Sequence, residues 1–97
     1  MGKLSEGEWV AVAYDDGYYV GQVENVNRPD MVVGVNFLRK SSQNDYFYWP
    51  EVKDRANVSP TVIFFPKVKV SKESRKFKVL NLNAVVTAFA GFSQKYF

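Results

Sequence analysis

Asp15-Asp16-Gly17 is the feature that most constrains the fold, because it stands between two runs of strand-forming residues. Glu8–Tyr14 and Tyr18–Val26 are both rich in valine and aromatic residues, which favour extended backbone. Gly17 can adopt a positive φ without steric cost, and aspartates are common turn formers. The pattern predicts two antiparallel strands joined by a tight turn, with Gly21 marking a bend or a close backbone contact.

Three further apolar runs follow in the next forty or so residues, which predicts five strands in all. The polar segments between them predict turns or loops, and Glu51–Ser59 is read as a loop or a single helical turn. The three additional strands are Met31–Leu38, Tyr46–Trp49 and Val62–Phe65, and the other connections are Asn27–Asp30 and Arg39–Asp45.

After Pro66 the sequence alternates strictly between apolar and basic residues. This period of two predicts a β-hairpin around Ser71–Ser74 with a valine-rich face and a lysine face. The apolar face would hold Val68, Val70, Phe77 and Val79, and the opposite face Lys67, Lys69, Lys76 and Lys78. For the last segment we predict a short helix capped by Asn83, with Val85, Ala88, Phe89, Phe92 and Tyr96 along one stripe.

Composition narrows the chemistry available to this chain of 97 residues, which is long enough for one domain. Cysteine and histidine are absent, which excludes disulfides, thiol and imidazole nucleophiles, and zinc sites built from those residues. No phosphate-binding glycine motif or metal-ligand spacing is present. Asp15 and Asp16 are read as turn formers rather than an acid/base pair, so we predict no enzymatic activity and no cofactor.

Charge is distributed unevenly along the chain. Residues 1–60 carry six basic and nine acidic side chains, whereas residues 61–97 carry seven basic side chains and only Glu73 as an acid. A basic surface of this kind can attract a polyanion, or it can simply guard a sheet edge against pairing with other chains. No apolar run approaches the length needed to cross a bilayer, so we expect no membrane association.

Five short strands with tight turns describe a small SH3-like barrel. The segments Gly7–Tyr14, Asp16–Val23 and Val33–Phe37 also resemble the Tudor-like family, including its single-domain histone readers. The loop before the aromatic-Trp-Pro strand resembles Tudor-like modules of transposon-derived animal proteins. The resemblance covers about residues 7–65, the predicted barrel. We further predict a flexible N-terminus at 1–6, and a basic hairpin and helix at 66–97 packed on the barrel as one domain.

The resemblance implies which residues would form a binding site. In Tudor readers, aromatic residues at the ends and starts of the first four strands enclose a methylated lysine or arginine. Ring faces attract such weakly hydrated cations. The corresponding positions here are Tyr14, Tyr19 (or Tyr18), Phe37 and Tyr46 (or Tyr48).

One position departs from the family pattern. Tudor readers commonly have an acidic residue and a glycine after the phenylalanine, but this chain has Leu38-Arg39-Lys40. We expect Asp45, or Asp15 and Asp16 across the turn, to supply the negative charge.

Three functions remain open. The resemblance implies a nuclear, chromatin-associated module, by default a monomer, that binds a histone tail or another peptide. The alternatives are nucleic-acid binding through Lys67, Lys69, Lys76 and Lys78, and a general interaction domain of a larger protein.

Overall fold

A computed structural model describes residues 4–27, 31–42 and 46–96 of the chain. These residues form nine β-strands, one 3₁₀ turn at Pro60–Val62 and one α-helix. The strands are β1 Trp9–Tyr14, β2 Gly17–Asn27, β3 Val32–Phe37, β4 Arg39–Lys40, β5 Tyr46–Tyr48, β6 Arg55–Val58, β7 Ile63–Phe65, β8 Val70–Glu73 and β9 Lys76–Val79, and the helix is α1 Leu82–Tyr96.

The strands pair into two antiparallel sheets. The first has the order β6-β3-β2-β1-β7 and the second the order β4-β5-β9-β8. The chain passes from β3 into β4 through Leu38, whose N–H donates a 2.9 Å hydrogen bond to the carbonyl of Val20. The predicted mainly β fold with a C-terminal helix is therefore confirmed. Among the described residues no ladder joins the edge strands of either sheet, and the closed five-stranded barrel stays a prediction.

The first hairpin forms where the sequence predicts it. Tyr14 pairs with Gly17, which leaves Asp15 and Asp16 as the two-residue loop. Gly17 has a φ of +148°, in the region that favours glycine. Farther along β2, a Cβ at Gly21 would lie 2.5 Å from Cγ1 of Val35, so the predicted close contact is real. The turn predicted at Asn27–Asp30 falls mostly outside the described residues.

β1 is buried on both of its faces, which explains why it reads as an unbroken apolar run. Val10 and Val12 lie in one core cluster, together with valines of β2 and β3 and Ile63 of β7. Ala11, between them, lies in a second cluster that also contains Val85 of the helix. The two clusters place the first sheet between two packed layers.

The segment read as a loop or helical turn, Glu51–Ser59, contains a strand instead. β6 pairs with β3, with Val33 opposite Val58 and Asn36 opposite Arg55. Its sequence, RANV, has little apolar alternation, because only Val58 is buried. Backbone hydrogen bonds to the edge of β3 stabilise this strand, and such bonds leave no mark on the side-chain pattern.

The C-terminal hairpin pairs Val70 with Val79, and its loop is Ser74 and Arg75 rather than Ser71–Ser74. Val68, Phe77 and Val79 are buried, as the alternation predicts. The predicted helix is present with Val85 fully buried, but it spans 15 residues and begins at Leu82. Asn83 therefore lies in its first turn and does not cap it.

Candidate ligand-binding site

Tyr14, Tyr19 and Phe37 come together on one face of the first sheet. Val12 pairs with Tyr19, and Gly21 pairs with Phe37, so strand register brings the three side chains to the face that also carries Val10 and Val12. Tyr18 points to the opposite face, where its ring lies 5.4 Å from that of Phe89 in α1. The structure thus distinguishes the two neighbouring tyrosines: Tyr19 belongs with Tyr14 and Phe37, and Tyr18 packs under the helix.

The three rings are close to mutually perpendicular, and we call them the aromatic corner. Tyr14 and Tyr19 have centroids 5.2 Å apart at 79°, Tyr14 and Phe37 6.2 Å apart at 65°, and Tyr19 and Phe37 6.3 Å apart at 74°. Phe37 is only 4% exposed, Tyr14 is half-buried and Tyr19 is 41% exposed. The rings line a depression of about 430 Å³ whose inner end is Phe37 and whose outer wall is Tyr19.

Carboxylates border this depression. Asp15, Asp16 and Asp54 line it beside the rings. The hydroxyl of Tyr19 donates a 3.0 Å hydrogen bond to Oδ2 of Asp16. Asp15 and Asp16, which we expected to supply negative charge from across the turn, do lie beside the rings. Asp54, from the segment before β6, adds a third carboxylate.

Both tyrosines of the aromatic corner have raised pKa values, and nearby aspartates are among the causes. Burial raises the pKa of Tyr14 above its usual value, and the negative charges of Asp54 and Asp16 raise it further. The pKa of Tyr19 is raised chiefly by its hydrogen bond to Asp16 and by the charge of that carboxylate. Of these causes, the aspartate charges also favour a cation at the same place, whereas burial does not.

Sequence analysis did not single out Asp54. Its backbone carbonyl accepts a 2.7 Å hydrogen bond from the N–H of Phe37, which holds it beside the corner. Its neighbours Lys53 and Arg55 both form salt bridges with Glu24 of β2, the Arg55 contact at 2.7 Å. Asp54 could have been predicted only from the pairing of β6 with β3. The polar sequence of β6 does not indicate that pairing.

Tyr46 is not part of the aromatic corner. It lies in the second sheet, where it pairs with Lys78 of β9 and its hydroxyl donates a 3.0 Å hydrogen bond to Glu73. The Nζ atoms of Lys76 and Lys78 lie 5.1 and 5.8 Å from its ring centroid. The alternative, Tyr48, lines a neighbouring groove, and Asp45 lies outside the described residues. Tyr46 lies away from the corner because β5 pairs with β9, and Tyr48 remains the alternative for the fourth ring.

The four predicted lysines are exposed except Lys78, which is half-buried. Lys76 and Lys78 share a face of the hairpin with Ser71 and Glu73, next to Tyr46. Lys67 and Lys69 precede β8 and border a separate depression beside Trp9. The lysines thus divide into two pairs with different surroundings.

A larger groove of about 680 Å³ adjoins the aromatic corner. It shares Asp16, Tyr19 and Asp54 with the depression that the aromatic corner lines. From there it extends past Leu38 and Phe47 to the basic strand β4. The two depressions therefore adjoin along Asp16, Tyr19 and Asp54, while Tyr18 and Val20 line the groove from the opposite face of β2.

Within the described ranges, no group of three or more acidic, cysteine or histidine side chains is arranged to hold a metal ion. The described residues also include no helix that is long and apolar enough to cross a membrane.

Models of protein families, curated protein sequences and solved structures were each compared with this chain, and none of them matches it.

Proposed function

We propose that this chain is a non-catalytic, Tudor-like recognition module that binds a methylated lysine or arginine of a chromatin-associated peptide in the aromatic corner. The observation that carries the proposal is the near-perpendicular convergence of Tyr14, Tyr19 and Phe37 beside three carboxylates. The continuation of β3 into a second sheet is in keeping with a five-stranded barrel of the Tudor type.

The chemistry of the corner favours a methylated cation over an unmodified one. Each ring face attracts a quaternary or partly methylated ammonium by about 0.5–2 kcal/mol. An unmodified lysine ammonium is compact and strongly hydrated, so it loses more on leaving water. Asp16 and Asp54 add a charge that attracts any of these cations, and they can accept a hydrogen bond from the N–H groups that lower methylation states retain.

A titration followed by NMR tests this function. Peptides of identical sequence would carry unmodified, monomethyl-, dimethyl- or trimethyl-lysine, or the corresponding methylarginines. We expect methylated peptides to shift the ring signals of Tyr14, Tyr19 and Phe37, and unmodified peptides to shift them much less. Absence of any such shift across the whole methylated series would refute the proposal.

A second candidate function is contact with nucleic acid through the C-terminal hairpin. The supporting observation is that the segment from Lys67 to Lys78 exposes several cations around one acid, Glu73. Lysine contacts to phosphate would be independent of sequence and strongly weakened by salt.

The two lysine pairs make this candidate testable. A random-sequence duplex should bind at low salt, and its affinity should fall in a Lys76→Glu/Lys78→Glu variant or in a Lys67→Glu/Lys69→Glu variant, whichever pair contacts phosphate. If wild-type protein shows no binding at low salt, or both variants bind as well as wild type, the hairpin is not a nucleic-acid surface.

A further inference from the structure

The groove beside the aromatic corner is built to hold more than a single side chain. It encloses about 680 Å³ and shares Tyr19 as a common wall with the corner. A ligand whose cation lies in the corner can pass over this shared wall, beside Asp16 and Asp54, into the groove. This continuity suggests an extended peptide rather than an isolated methylated amine.

The walls of the groove are apolar at their base and aromatic at their rim. Leu38 and Phe47 are 3% and 4% exposed, and Phe89 of α1 closes one side. Tyr19 and Tyr48 are both about two fifths exposed, with rings accessible at the rim. Surfaces of this composition bury peptide side chains while leaving polar groups in contact with water.

The groove is lined by side chains of both charges. Asp16 and Asp54 lie where it meets the corner, whereas Arg39 and Lys40 of β4 line its other part. Both cations are exposed and thus accessible to a ligand. A peptide with a cation in the corner therefore meets positive charge farther along the groove, and an acidic side chain there would be complementary to it.

The backbone indicates the spacing between the two charges of the peptide. Phe37, at the inner end of the corner, and Arg39 are two residues apart at the junction of β3 and β4. Two residues of extended chain span about 7 Å, and an extended peptide covers the same length in about two residues. The acid and the cation of the ligand should thus be separated by about two or three positions.

We propose that the groove selects peptides in which an acidic residue lies two or three positions from the methylated cation, and that Arg39 and Lys40 pair with this acid. The inference rests on the proposed function of the corner and names the class of peptide that the site selects. Both cations belong to the segment Leu38-Arg39-Lys40, which stands where the Tudor pattern has an acid and a glycine, so this departure becomes a determinant of specificity.

A charge-reversal experiment tests the inference. Dimethyl-lysine peptides, each with a counterpart that has unmodified lysine, would carry Glu, Gln or Lys two or three positions before or after that residue, and fluorescence anisotropy would measure their affinities. Wild-type protein should bind the best Glu peptide about two- to fivefold more tightly than its Gln counterpart, as exposed ion pairs allow. An Arg39→Glu/Lys40→Glu variant should reverse this order and prefer the Lys peptide.

The chain offers a matched control in Lys72→Glu/Arg75→Glu. This variant reverses one lysine and one arginine on the exposed hairpin, outside the groove, and should retain the wild-type preference. The preference should also shrink at about 0.5 M salt, where exposed charges are screened. Circular dichroism of each variant establishes that its fold is intact.

The outcomes separate this inference from the function on which it rests. Methylation-dependent binding that ignores the flanking charge overturns the inference and leaves the corner's function in place. Binding of acidic peptides regardless of methylation supports the groove and overturns the function of the corner. Absence of binding by every peptide overturns both.

Discussion

The ring of Tyr14 meets the ring of Tyr19 at 79°, with centroids 5.2 Å apart. Tyr14 ends β1 and Tyr19 lies near the start of β2, so the hairpin that joins these strands holds the two rings at a set angle. Phe37 of β3 closes the corner from below. Two walls and an inner end thus come from three adjacent strands of one sheet, which orders the site before any ligand arrives.

Replacing Tyr14 with alanine should weaken binding of a dimethyl-lysine peptide by about 0.5–2 kcal/mol, or roughly two- to thirtyfold. The loss follows from removal of one of the three rings of the aromatic corner. Calorimetric titration would measure it. Tyr46→Ala is the matched control, because Tyr46 lies in the second sheet beside Lys76 and Lys78. If both variants lost the same affinity for the peptide, the position of Tyr46 outside the corner would be contradicted.

Asp54→Asn should lower the affinity for a monomethyl-lysine peptide by about two- to fivefold, with a smaller effect on the trimethyl form. The difference arises because a monomethylated ammonium can donate a hydrogen bond to the carboxylate and a trimethylated one has no N–H. Anisotropy titrations of the two peptides would measure both effects. Glu51→Gln removes a charge from a different depression, beside Trp49, and should change neither affinity.

Val85→Ala should destabilise the protein by about 1.5–3 kcal/mol, because Val85 is fully buried where α1 packs on the sheets. Its neighbour Val86 is 47% exposed, so Val86→Ala should change the free energy of unfolding by less than about 0.5 kcal/mol. Urea denaturation of both variants would measure the contrast. Similar values for the two positions would mean that the helix does not pack as described.

Gly21→Ala should destabilise the fold by about 1–3 kcal/mol. The new methyl group would lie 2.5 Å from Cγ1 of Val35 and 2.8 Å from the backbone oxygen of Asn36, so β3 would have to shift. The same substitution at Gly91, in α1, meets nothing within 4 Å and should stabilise the helix by about 0.5–1 kcal/mol. Thermal denaturation should therefore move the two midpoints in opposite directions.

Glu24 should contribute to an acid-dependent loss of stability. Its hydrogen bond to Lys53, opposed by desolvation and aided by a hydrogen bond to Arg55, holds its pKa below the ordinary value of 4.5. Because the folded carboxyl binds its proton more weakly, its contribution to stability is present above pH 4.5 and is lost as the pH falls through the folded pKa.

Urea denaturation at about pH 6 and about pH 3 would measure this dependence in wild type, Glu24→Gln and Lys53→Gln. Both variants should lose less stability than wild type between these pH values, because each lacks the main contact that lowers the pKa of Glu24. A wild-type pH dependence in Glu24→Gln would show that other groups account for it.

The strongest sequence signals were local, and those are the predictions that the structure confirms. Asp15-Asp16-Gly17 forms the turn, because a two-residue loop followed by glycine depends on only a few neighbouring dihedral angles. The stripe through Val85 and Phe89 indicates the helix, because its spacing repeats within a single element. Strand β6 escaped prediction because its stability comes from pairing with β3, and only Val58 is buried.

For the site, the sequence by itself determined that Tyr14 and the neighbours Tyr18 and Tyr19 flank one tight turn and that only one of these neighbours can share a face with Tyr14; the structure selected Tyr19 and added Phe37. Strands alternate their side chains with a period of two, and the short turn sets the register between β1 and β2, so this part follows from local order. Only the tertiary structure decided the rest: it brought Asp54 to the corner through β6 and took Tyr46 to the lysines of β9. Contacts between residues far apart in sequence depend on which strand edges pair and on how the two sheets pack. The periodicity of side chains along one strand predicts neither of these.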